Sequence, residues 1–415
     1  MSLVTNSHFI SASASGTDWR DTAKKVVEEI KSVLTEGKPY SLGLVYVTDH
    51  LAQDIPSILN LFKSVLNIPH WSGSIGIGVL DINRSYINEP AISVLLLDIP
   101  EEEFMEFRFG TMGNEEKDKE LAEWLVQHDP LLVLTHAGSA AGGLSLRLKE
   151  LEGLTRGYLV GGVASACPAR IEFAGGKPES DLSGVCFSDK VSVATSLTQG
   201  CSPIGEYHTI TQVEEDHIIE QLDDVPCYEV FQDDLRALAM DKLGKDPNDI
   251  IITSAEEGDE QGVWDEIPSE FQDVFHGEVH VAFPVMGTDQ NDYMVRNILN
   301  MNYEAVGMAV AQQVYNGDRV MFVHRNQDTM KRDLTRMLLE LRQRVETEQG
   351  GFYPKGGVYI SCMARAGYDF GEDYADELSL IREVIGEIPL VGFYAGGEIL
   401  SGRMYGYTGI LNLFL

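Results

Sequence analysis

Apolar residues in this chain follow two spacings, and the two recur in a fixed order. Leu42–Thr48 (LGLVYVT) is a β-branched and aromatic run of strand length, which predicts a buried strand. Asp54–Asn67 then places Ile55, Ile58, Leu59, Phe62, Val65 and Leu66 at helical spacing. Ile68–Leu80 (IPHWSGSIGIGVL) predicts a second strand broken by glycines, and Ala91–Ile99 a third.

The C-terminal end repeats this order. Gly356–Gly367 reads as a strand and its exit loop, and Asp373–Glu387 as a helix with Leu378, Ile381, Val384 and Ile385 on one face. Ile388–Leu400 (IPLVGFYAGGEIL) matches Ile68–Leu80 nearly position for position, and Tyr407–Leu415 closes the unit. A third copy lies between them: strand Pro130–Gly142 with a glycine-rich exit, helix Leu144–Glu152, broken strand Gly157–Ala166, and a hairpin-like strand pair over Leu182–Leu197 with Ser188-Asp189 near its turn. The expectation is an α/β protein of repeated β-α-β-β units forming mixed sheets flanked by helices. Glycines sit at the same station in each copy, where a strand bends or lets another backbone or a ligand approach. They are expected to converge on a shared rim around a hollow.

Between the middle and last copies the composition changes. Gln212–Phe275 is rich in acidic clusters and holds the amphipathic segment Asp233–Gly244. Strands follow at Glu278–Val285 and Asp318–Asn326, then a long helix over Asp328–Gln349, capped by Asp328 or Thr329 and ended by Gly350-Gly351. With Gln199–Glu220 as the crossing, two domains are expected, residues 1–210 and 211–415.

The charge narrows the function classes. Acidic side chains number 65 against 31 basic ones, a net charge of −34, which repels phosphate backbones and anionic lipid. No nucleic-acid or membrane partner is expected, and the charge reads most simply as solubility. The five cysteines, Cys167, Cys186, Cys201, Cys227 and Cys362, form no CxxC pair and suit reduced buried thiols rather than a zinc site. No charged start followed by an apolar run opens the chain, so a cytoplasmic protein is expected.

Common catalytic signatures are absent: no GxxxxGK[ST], HExxH or GxSxG occurs. Gly73–Gly78 lies in a strand context with the wrong spacing for a dinucleotide loop. His136–Gly143 runs from strand to helix, a turn whose backbone N–H groups suit an anion or simply connect two elements. Arg365, Glu398 and Arg403 all follow predicted strands in glycine-rich segments. An Arg fork suits a carboxylate and a Glu suits an ammonium, so together they match an amino acid or similar zwitterion; the competing reading is an internal ion pair locking the strand-end loops. The rim adds Ser74, His136, Gly396 and Gly397 as ligand-lining candidates. Cys362 at a strand end is either a nucleophile activated by a nearby cation or a small buried thiol. His50, His70 and His136 are candidate axial ligands should the cofactor be haem.

These segments resemble the FIST family of signalling proteins. Its C-terminal pattern is met by Ser361-Cys362-Met363-Ala364-Arg365-Ala366-Gly367, then Phe370-Gly371, then Gly392-Phe393-Tyr394-Ala395-Gly396-Gly397-Glu398-Ile399, then Gly406-Tyr407-Thr408. Leu42–Thr48 and Ser72–Leu80 are similar to its N-terminal domain. Gly396 stands where members often carry Asn, and Ala366 where they carry Gly. The resemblance implies a sensor that binds a small ligand, with amino acids proposed for the family. Alternatively it implies a haem-binding nitric-oxide sensor acting on a separate histidine kinase. Either way the chain would signal through a separate protein. An enzyme using Cys362 is the third reading.

Overall fold

The computed structural model describes residues 1–34, 40–109, 115–138, 143–166, 182–244, 278–285, 293–301, 307–367 and 376–415. Its contacts divide into two compact units, residues 1–199 with 331–415, and residues 200–330. The second unit is thus inserted within the first, which differs from consecutive domains at 1–210 and 211–415. Acidic composition signals the insertion in the sequence, but the chain returns to the parent unit within one continuous helix, where no compositional break exists to be read.

The parent unit is three copies of one motif. The first contains β1 (Ser2–Thr5), β2 (Phe9–Ser15), α1 (Trp19–Val33), β3 (Leu42–Thr48), α2 (Ile55–Leu66), β4 (His70–Gly76), the short strands β5 (Gly78–Asp81) and β6 (Ser85–Ile87), and β7 (Ala91–Leu97). The second contains β8 (Phe104–Phe109), α3 (Glu115–Gln127), β9 (Pro130–Ala137), α4 (Leu144–Thr155), β10 (Tyr158–Val163) and β11 (Leu182–Ser188). The third opens with β12 (Val193–Thr198). The inserted unit then supplies β13 (Ser202–Pro203), β14 (His208–Glu214), β15 (Ile218–Leu222), β16 (Val225–Pro226), α5 (Cys227–Leu243), β17 (Glu278–Pro284), β18 (Tyr293–Arg296), β19 (Ile298–Met301), β20 (Met308–Val310) and β21 (Arg319–Arg325). The third copy resumes with α6 (Gln327–Gln349), β22 (Gly356–Cys362), α7 (Glu377–Ile385), β23 (Leu390–Ala395), β24 (Glu398–Leu400), β25 (Arg403–Tyr405) and β26 (Gly409–Phe414).

The expected β-α-β-β unit is present in every copy, extended by a preceding strand and helix. Each copy pairs its strands alike, in the orders β2-β7-β3-β4, β8-β11-β9-β10 and β12-β26-β22-β23. In each copy the last two strands of that order (β3–β4, β9–β10, β22–β23) are parallel, and the strand before them (β7, β11, β26) is antiparallel to its neighbour. Leu182–Leu197 is not a hairpin: β11 pairs in the second copy's sheet and β12 in the third's.

Local chemistry explains the helices. Asp18 caps α1 through the backbone N–H groups of Arg20 and Asp21, and Ala23, Val26, Val27 and Ile30 bury one face of it. Asp376 and Ser379 form a capping box on α7. Asn67 ends α2 in left-handed backbone that Asn tolerates. The α1–α2 face of the first sheet buries Val45, Val47, Ile58, Phe62 and Val94 in one cluster.

The copies also exchange strands. The β5–β6 excursion of the first copy extends the third copy's sheet at β23, and the β24–β25 excursion of the third extends the second copy's sheet at β10. Beyond β10, Ser165 reaches back to the first copy, donating its N–H to Ile75 O at 3.2 Å. This cyclic exchange fixes which residues correspond. Gly73, Gly161 and Gly392 occupy one station, for a Cβ built on each would lie 1.7 Å from the facing carbonyl oxygen, of Val45, Thr135 and Tyr359 respectively. Matching the Ile-Pro dipeptides of Ile68–Leu80 and Ile388–Leu400 pairs Gly73 with Phe393 instead, a slip of one residue. In a strand such a slip exchanges the two faces, so the register matters to everything built on it.

The described residues of the inserted unit form a nine-stranded sheet with α5. Ile210, Ile219, Leu222, Val281 and Phe322 form its core. Residues 245–277 of the acidic stretch lie outside the described residues.

Candidate functional site

The three central strand pairs bring equivalent side chains together. Tyr46 with Ser74, His136 with Gly162, and Ile360 with Phe393 are the same register pair in the three copies. Tyr46 stacks on Phe393 with ring centroids 5.1 Å apart, and His136 meets Tyr46 edge-on at 5.6 Å. The Tyr46 hydroxyl and His136 Nε2 are 3.2 Å apart. A Cβ on Gly162 would lie 2.9 Å from Ala395, Ile360 and Phe393 side chains. The residues next to the shared glycines thus meet in a packed hub, not in the expected hollow. Aromatic rings fill the space because only one of the six positions is a glycine.

Burial lowers His136 to about 3, so its imidazole is neutral. Its ring lies edge-on to Tyr46 and Phe393, and its Nδ1 has no hydrogen-bond partner among the described residues. His50 and His70 lie at opposite ends of the β3–β4 pair, so the three histidines do not form a set. His50 pairs with Asp49 at 3.1 Å and His70 with Glu106 at 2.8 Å.

The chemistry lies at the C-terminal ends of β22 and β23. Arg365, 1% exposed, sits in a short 3-10 turn after β22. Its Nε donates to Glu377 Oε1 at 2.5 Å, its Nη2 also lies on that oxygen, and Nη1 donates to Tyr407 O at 3.2 Å. Glu377 Oε2 accepts from Tyr359 at 3.1 Å and Ser361 at 2.9 Å. Arg365 is thus held in an internal ion pair with Glu377, while its Nη2 makes no well-aligned hydrogen bond among the described residues. Arg403 is not in this group. It pairs in register with Leu400, at the end of β24–β25 away from Glu398.

Glu398 is fully buried. Its Oε2 accepts from Thr408 N at 3.1 Å and Thr408 Oγ1 at 2.7 Å, while Oε1 has no hydrogen-bond partner among the described residues. Burial raises its carboxyl to about 8, against the pull of Thr408, Arg365 and the Cys362 thiol beside it. Cys362 is itself pushed up to about 12 by burial and by the Glu398 charge. A thiol held neutral is not an activated nucleophile, which counts against an enzyme built on Cys362.

The first copy shows what the fold alone requires at these places. Counted from the shared glycine station, Arg365 corresponds to Leu51, both in 3-10 turns after their strands. Glu398 corresponds to Val79, since each pairs with the matching residue of its neighbour sheet, Gly162 and Phe393. Glu377 corresponds to Ile58, since α2 and α7 end the same distance before the shared glycines, Leu66 before Gly73 and Ile385 before Gly392. Leu51, Ile58 and Val79 are all buried and apolar. Three core stations of the first copy therefore carry ionisable groups in the third.

The sequence profile of the FIST N domain matches residues 41–225, and that of the FIST C domain residues 265–401. The chain belongs to the FIST family. Its FIST sequence is similar to an uncharacterized protein of Mycobacterium tuberculosis strain H37Rv, 26% identical over 408 residues, 96% of this chain and 97% of that protein. The same figures hold for an uncharacterized protein of strain CDC 1551. An uncharacterized Mycobacterium bovis protein is 28% identical over 141 residues, 33% of this chain and 34% of its own length. FIST domains are associated with signal transduction and small-ligand sensing. The described part of this FIST chain has no helix long and apolar enough to cross a membrane.

Of the residues singled out from the sequence, Cys362, Arg365, Gly396, Gly397 and Glu398 cluster at one strand end. Ser74 and His136 belong to the hub, and residues 139–142 of the anion-type turn and Phe370-Gly371 lie outside the described residues. Glu377 and Thr408 were missed as functional groups. Glu377 was hidden at a helix start, though a Glu on the otherwise apolar face ahead of Ile381 and Ile385 is the signal that could have exposed it.

Proposed function

We propose that this FIST chain is a small-ligand-binding sensory protein whose ligand is an amino acid or a close relative, held at the C-terminal ends of β22 and β23. The observation that carries the reading is the replacement of Leu51, Ile58 and Val79 by Arg365, Glu377 and Glu398 at matching stations. Burying an ion pair and a third carboxyl costs stability that an apolar core does not, so folding does not account for them. Ligand crevices in parallel α/β sheets lie at the carboxyl ends of strands, which is where these groups stand. Arg365 and Glu377 form the floor, and Glu398 Oε1 and Arg365 Nη2 are the atoms there with bonding capacity left over. The chain then acts through a separate signalling protein.

The test is a thermal-shift screen of the full chain against the protein amino acids. Saturable stabilisation is expected, since a ligand that binds only the native state raises its melting temperature. No shift with any of them at millimolar concentration overturns the reading.

A further inference from the structure

Gly396 and Gly397 differ in kind from the glycines of the shared strand station. Gly73, Gly161 and Gly392 are forced by a carbonyl 1.7 Å from the place a Cβ would take. At Gly396 the nearest atom would be Ala164 O at 3.5 Å, and at Gly397 Tyr405 O at 3.5 Å, both ordinary contact distances. Neither has the positive φ that favours glycine. In the first copy the place of Gly396 is taken by Ile77, by the same register count that aligns Glu398 with Val79. Gly396 is exposed, and so is Met363 after Cys362. The third copy thus lacks a side chain the fold could accommodate, two residues before a buried acid with an unsatisfied oxygen.

We propose that Glu398 is the recognition carboxylate for a protonated amino group of the ligand, and that Gly396 and Gly397 are the opening through which that group reaches Oε1. The assignment rests on the small-ligand reading above and names its chemical class, a primary ammonium. Oε1 accepts one N–H of the ammonium while Oε2 stays with Thr408. The titratable groups facing Glu398 are Cys362 and Arg365 from the β22 side and Tyr405 across β25, with the neutral His136 beyond Gly162 on the β9–β10 side. Arg365 is already matched by Glu377, so the ammonium meets one uncompensated carboxyl. Without ligand Glu398 holds a proton near neutral pH; an ammonium favours the ionised form, so binding expels that proton to solvent. Affinity then rises by up to about tenfold per pH unit below the Glu398 pKa.

The experiment compares amino acids with their N-acetyl derivatives on the full chain, by thermal shift and by calorimetry in buffers of different ionisation enthalpy. Free amines are expected to bind with proton release and N-acetyl forms to fail. Glu398→Gln, which keeps an acceptor for Thr408, is expected to weaken binding about 10- to 100-fold and abolish proton release. Gly396→Ile, restoring the first copy's residue, is expected to keep the melting temperature of the free protein and lose binding. If N-acetyl forms bind as well as free amines, or Glu398→Gln binds normally with unchanged proton release, this assignment is wrong while the ligand-binding reading survives. If neither class binds the wild-type chain, both fall together.

Discussion

Replacing Glu377 by isoleucine, the residue of the first copy at that station, removes four contacts at once. It strands the Arg365 guanidinium, which is 1% exposed, and takes the acceptor from the Tyr359 and Ser361 hydroxyls. Stranding a buried charge costs about 3–5 kcal/mol. Each hydroxyl left without an acceptor adds about 1–3 kcal/mol. The double variant Arg365→Leu/Glu377→Ile carries the first copy's apolar pair and is expected to recover most of the charge penalty, leaving only the hydroxyl loss. Urea denaturation followed by tryptophan fluorescence measures both, in a Trp264→Phe background that leaves Trp19, Trp71 and Trp124 of the parent unit as reporters. Midpoints are expected to move at constant slope, with a coupling energy of about 2–3 kcal/mol between the two sites. A double variant no more stable than Glu377→Ile alone would refute the claim that these charges occupy stations the fold fills with apolar side chains.

Alanine at Gly73, Gly161 or Gly392 places a Cβ 1.7 Å from a carbonyl oxygen, so each is expected to destabilise by about 3 kcal/mol or more, and by similar amounts, in the same denaturation assay. His208 of the inserted unit lies between Asp223 at 2.7 Å and Asp234 at 3.0 Å; burial pulls its pKa down, but the two carboxylates outweigh that and the net shift is upward. Its stabilisation is therefore full below the unfolded value of about 6.5 and lost as pH rises through the folded pKa, so His208→Gln should lower the melting temperature at pH 6 more than at pH 9. His136 is shifted the other way, to about 3, and the unfolded chain binds its proton first. Wild type should thus lose stability faster than His136→Phe as pH falls from about 6.5 to 4, and parallel losses would contradict a buried neutral imidazole.

Much of the fold was legible because local patterns carried it. Buried parallel strands such as Leu42–Thr48 and Gly356–Cys362 must be apolar throughout, and helices such as α7 must present one apolar face, so periodicity alone located all three copies. The site was legible in part: Cys362, Arg365 and Glu398 stood out as polar groups beside glycines at strand ends. Their roles were not. Arg365 looked available because Glu377, twelve residues on, is brought to it only by the return of α7.

The sequence by itself determined that a strand-helix-strand motif recurs, that the chain is strongly acidic, and that one end of the third copy gathers polar residues beside glycines. These follow from residue type and spacing, which act over a few residues. Only the tertiary structure decided the register that equates Gly73 with Gly392, the insertion of residues 200–330, the filled hub of Tyr46, His136 and Phe393, and the carboxyl oxygen of Glu398 that has no hydrogen-bond partner among the described residues. Those depend on which strands meet across a sheet and between copies. A shift of one residue in that pairing would exchange buried and opposed faces without changing any local pattern.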